Sequence, residues 1–171
     1  MTDHAWVRST VDPVTRKAAC LLRWGPIEAL MTPEDTLATA QDLTAAAAHA
    51  ETDIALLAWC RDKLKADATT AGHMVLDIRT MRTPPSGPGR SALRIEAVAG
   101  TKTGKPYVNI ARGSMKGQLT PDEAREMAGH WTQVAVAAQI DVRLRYALGE
   151  HPGITPDDVE QIFARLQALQ R

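Results

Sequence analysis

The chain has 171 residues, a length that suits one domain and suffices to bury a core without disulfides or metals. Twenty Lys and Arg balance twenty Asp and Glu, so any case for a polyanionic ligand must rest on local rather than net charge. The apolar share of 44% excludes a disordered or collagen-like chain, and no run approaches the ~18 apolar residues of a membrane helix.

The start, Met1-Thr2-Asp3-His4, lacks the basic-then-apolar pattern of a secretion signal, so a cytoplasmic protein is expected, with no membrane partner. Cys20 and Cys60 are far apart and in no CxxC spacing, and buried, reduced thiols are expected. Residues 5–10 and 17–24 alternate as a hairpin that turns at Asp12-Pro13-Val14-Thr15, and Ile27–Met31 fits a short third strand. Thr32-Pro33-Glu34-Asp35 then opens a helix over 33–65. Threonine caps, proline occupies the first turn without losing a bond, and the acids suit the positive end of the helix dipole. Its apolar stripe is Leu37, Ala40, Leu43, Ala47, Ala50, Ile54, Leu57 and Leu64.

Alternation predicts three further strands, over 74–81, 92–98 and 107–111, separated by two Gly-rich loops. A second helix starts at Thr120-Pro121-Asp122-Glu123, a capping box, and runs to 148, with Gly149 as its expected C-cap. Thr155-Pro156-Asp157-Asp158 opens a third helix over 156–168. The two long helices belong to a repeat at an offset of 88: nine of the 36 positions from Gly25 to Cys60 are identical in the second copy. The expected fold is therefore α+β: two β-β-(β)-α units with long Ala-rich helices on antiparallel sheet, plus a closing helix. We expect a single domain over 1–171, with repeat one at about 1–67, repeat two at about 73–149 and the closing helix at about 155–169. A helix this long exceeds what three strands can cover, so the helices must cover each other, within the chain or in a homodimer.

Charge is segregated. Residues 79–116 carry Arg79, Arg82, Arg90, Arg94, Lys102, Lys105, Arg112 and Lys116 against Glu96 alone, while 32–67 carry seven acids against three bases. Bases on Gly-rich loops beside a sheet can reach phosphates, and Tyr107 and Asn109 on the wet strand face can stack on or bond bases. The competing reading pairs Arg79 and Arg94 with Asp77 and Glu96 across strands.

Trp6-Val7-Arg8, the Asp12–Thr15 turn, Arg16-Lys17 and the helix that follows resemble the arm-type DNA-binding domains of phage and plasmid integrases. Those domains insert a sheet into the major groove, which implies DNA as a partner. Leu119-Thr120-Pro121-Asp122-Glu123-Ala124-Arg125-Glu126, ahead of an Ala-rich helix, is similar to small uncharacterised proteins of actinobacteria and their phages, which implies a source but no activity.

None of GxSxG, HExxH, a P-loop or GxGxxG occurs, and His4, His49, His73, His130 and His151 show no metal-ligand spacing. No cofactor, metal or catalytic residue is expected. Trp6, Trp24, Trp59 and Trp131 are expected as core anchors. The sequence thus points to a non-enzymatic binding or regulatory protein that takes nucleic acid through 79–116. The alternative is a protein-interaction module, such as a mobile-element accessory protein, acting through its long helices.

Overall fold

The computed structural model describes residues 5–82, 89–100 and 103–169. The fold is α+β, with two three-stranded antiparallel sheets and four helices. Strands β1 (Trp6–Val11), β2 (Ala18–Trp24) and β3 (Ile27–Met31) form sheet A, followed by α1 (Pro33–Lys63) and α2 (Ala68–Thr80). Strands β4 (Arg94–Gly100), β5 (Lys105–Arg112) and β6 (Met115–Leu119) form sheet B, followed by α3 (Pro121–Gly149) and α4 (Pro156–Leu169).

The offset of 88 holds through the backbone. Trp6 pairs with Arg23 as Arg94 pairs with Ala111, and Cys20 pairs with Met31 as Val108 pairs with Leu119. The β2–β3 and β5–β6 turns each use a left-handed glycine at the same place, Gly25 at φ 54° and Gly113 at φ 55°. Helices α1 and α3 begin at Thr32 and Thr120, whose side chains accept from Asp35 N and Glu123 N. The unit is β-β-β-α-α, repeated.

Two expectations for the second copy change. Residues 74–81 belong mostly to α2, which Asp67 caps by accepting from Thr70 N at 2.8 Å. The alternation of Leu76 and Ile78 with Asp77 and Arg79 is real, but Ala71 and Val75, the two buried residues, follow the helical period. The second copy takes β6 as its third strand, the counterpart of β3. The closing helix α4 is likewise the counterpart of α2 and starts 88 residues after it. The end of α3 also differs: Glu150 is the C-cap in a right-handed conformation, so Gly149 supplies no left-handed turn.

The long helices are exchanged. Helix α1 packs chiefly on β4 and β5, whereas α3 packs on β1 and β2, and the two helices pack on each other. One core results. Leu22 and Trp24 of sheet A, Val108 and Ile110 of sheet B, Leu43 and Ala47 of α1 and Trp131 and Ala135 of α3 are all part of it. The alanines let the helices approach closely, and burial of these apolar surfaces supplies the main stabilisation. The two long helices thus cover each other inside the chain, while Trp59 of α1 and Val136, Ile140 and Leu144 of α3 stay exposed. Both cysteines are free and buried, and burial pushes the Cys20 thiol pKa up. Of the tryptophans, Trp24 and Trp131 anchor the core, while Trp6 and Trp59 are exposed. No described helix is long and apolar enough to cross a membrane.

Candidate nucleic-acid interface

Sheet B turns one face to α1 and the other outward. Val108 and Ile110 are buried on the inner face, so by alternation Tyr107, Asn109 and Ala111 point outward. Register then sets the outer face in rows. Arg94, Ala111 and Lys116 form one row, and Glu96, Asn109 and Gln118 form the next. Val98 and Tyr107 form a third, and Lys105 lies opposite Gly100 at the end. Two cations therefore flank a small residue, beside a row that carries two amides.

The rows are partly bonded. Arg94 Nε donates to Glu96 Oε1 at 2.8 Å, two residues along the same strand. Gln118 Nε2 donates to Asn109 Oδ1 at 3.0 Å, which leaves the rest of each amide to solvent. Lys105 and Lys116 are exposed. Gln118 was missing from the sequence-derived set because β6 was not foreseen; the repeat itself, by projecting Ile27–Met31 forward, carries the signal that finds it.

The other bases of 79–116 go elsewhere. Arg79 and Arg82 both bind Asp53, a fully buried carboxylate on α1, with Arg79 Nε donating to Oδ2 at 2.8 Å. Arg79 thus pairs with Asp53 and not with Asp77. Burial, then the charge of Arg82, lowers the pKa of His49, one turn away on α1, against an opposing pull from Asp53. Arg112 is on the inner side, where its guanidinium donates to Ala92 O at 2.6 Å. Arg90 is exposed, and its backbone N–H donates to Asp35 Oδ1 at 2.7 Å. Gly89 beside it has no room for a side chain, since a Cβ there would lie 2.2 Å from Glu34 O. This close approach ties the segment before β4 to the first turn of α1. Lys102 lies outside the described residues.

The structure therefore brings Arg94, Lys105, Tyr107, Asn109 and Lys116 onto one face and withdraws Arg79, Arg82 and Arg112 from it. Among the described residues no three His, Cys, Asp or Glu side chains gather as a metal site. No family model, curated protein or solved structure matches this chain.

Proposed function

We propose that this is a non-enzymatic binding protein whose outer face of sheet B docks nucleic acid. The supporting observation is the row Arg94–Ala111–Lys116 beside the Asn109–Gln118 amides, with Lys105 and Tyr107 on the same face. Lysines contact phosphates and set orientation, while paired amides and a guanidinium match the donor and acceptor edges of bases. Glu96 holds Arg94 in the free protein, and a base or phosphate takes its place only by competing for that guanidinium.

The test is a filter-binding titration against duplex DNA and single-stranded RNA over a range of salt. Binding is expected to weaken with rising salt, and a Lys105→Glu, Lys116→Glu double variant to bind roughly tenfold or more weakly with a salt slope lower by about two. Absence of binding at low salt, or a flat salt profile, removes the proposal.

A further inference from the structure

Strand β1 is an edge among the described residues: it bonds β2 on one side and no strand on the other. A groove runs along it. A cleft of about 1040 Å³ follows Trp6 to Ser9, walled by His130 and Ala137 of α3 and Ala164 of α4. A second, of about 630 Å³, continues along Thr10 and Val11 between α3 and Pro156 and Val159 of α4. Together they accompany the whole strand, about 20 Å at some 3.3 Å per residue.

Edge strands present unpaired N–H and C=O groups that accept another strand. Here His130 Nε2 lies 3.3 Å from Val7 O, so a side chain already bonds part of the strand. Among the described residues the first cleft is lined by Arg8 and Arg23 and by no acid, whereas the second holds Asp141 and Glu160 beside Arg16 and Arg145. Arg23 is held by Glu28. Arg8 is exposed and has no ion-pair partner among the described residues.

The other unit closes its second helix differently. Arg79 and Arg82 clamp α2 to Asp53 of α1. At the matching places in and after α4 the sequence has Gln167 and Gln170, and the matching carboxylate, Asp141, accepts from Ser9 Oγ at 3.1 Å. The two arginines that clamp α2 thus have no arginine counterpart in the sequence, and among the described residues the ion pair that reaches α4 from α3 is Arg145 with Glu160. Helix α4 is also held through buried Val159 and Phe163 and through Arg145, which lies 4.0 Å over the Phe163 ring.

We infer that this groove takes an extended acidic peptide from a partner protein, added to β1 as a fourth strand. Alternate small apolar side chains enter the alanine-walled cleft, and the outward ones place a carboxylate opposite Arg8, where a cross-strand pair of opposite charge is favourable. This surface is separate from the outer face of sheet B.

The probe is a fluorescein-labelled, end-blocked peptide of about eight residues alternating valine and glutamate, titrated with the full chain by anisotropy; a valine–lysine peptide is the control. Saturable binding of the acidic peptide alone is expected, weakened roughly tenfold or more by Arg8→Glu and by Ala137→Trp, and abolished when alternate peptide amides are N-methylated. Circular dichroism confirms that each variant folds, and the N-methylated peptide tests backbone pairing on the unaltered protein. The Lys105→Glu, Lys116→Glu variant is expected to bind the acidic peptide as the parent does. No saturation up to about 1 mM overturns the inference, as does binding that survives both Arg8→Glu and N-methylation, or binding lost in the Lys105→Glu, Lys116→Glu variant.

Discussion

Adding 88 to a residue number carries the first unit onto the second, and at several positions the two copies answer one backbone with opposite side chains. Trp24 at the end of β2 is buried in the core, whereas its counterpart Arg112 donates to a backbone carbonyl. Ala29 on β3 corresponds to Gly117 on β6, where a Cβ would lie 3.3 Å from Trp24 Cζ2. The missing side chain of one copy thus makes room for the large side chain of the other. Two identical chains in a symmetric pair could not divide the work in this way, since each would carry the same residue at both places. Asp53 and Asp141 differ in the same sense: one is buried under two guanidiniums, the other accepts from a serine hydroxyl.

The sharpest way to break this comparison is to truncate the matched pair at the ends of β2 and β5. Trp24→Ala should cost about 4 kcal/mol in urea unfolding, and Arg112→Ala about 1.5 kcal/mol, because one leaves a cavity in the core and the other loses a charge-assisted bond. Equal costs would mean that the core does not lean on the tryptophan. Next come the carboxylates. Asp53→Ala should cost about 3 kcal/mol, since Arg79 and Arg82 lose their shared partner, and Asp141→Ala about 1 kcal/mol. Amide exchange in α2 should rise selectively in the first variant, and uniform exchange would show that the ion cluster does not hold α2.

The smallest effect concerns the bridge between the units. Arg125 of α3 donates to Glu51 of α1 at 2.9 Å, and that bond draws the Glu51 pKa down and the Arg125 pKa up. A carboxyl whose folded pKa is depressed adds stability that is full above its unfolded pKa of about 4.3 and is lost as pH falls through the lower folded value. Glu51→Gln should therefore lower stability slightly at neutral pH and leave the acid extreme unchanged, which flattens the acid limb of a stability-against-pH profile. An unchanged acid limb would remove the bridge from the account of how the helices stay joined.

Much of the local structure is legible because it depends on near neighbours. Thr32, Thr120 and Thr155 announce helix starts, and each caps as its Pro and acids imply. The hairpins follow from alternation and turn residues. The misreading of residues 74–81 arose because eight residues of alternation also fit a helix face, and only the wider window that includes Asp67 and Ala71 separates the two. Arg79 and Arg82 looked available because their partner is 26 and 29 residues away on another helix. Arg94, Lys105, Tyr107, Asn109 and Lys116 share a strand face for a reason the alternation already contains. That Gln118 joins them needed the third strand.

The amino-acid order by itself determined the caps, the turns, the periodicities and the repeat, since all of these are set by bonds and clashes within a few residues. Only the tertiary structure decided that α1 covers sheet B while α3 covers sheet A, that Asp53 draws two cations off the basic segment, and that a groove lies along β1. Those outcomes depend on which apolar faces bury each other across the chain, and burial is non-directional, so no local pattern specifies the partner.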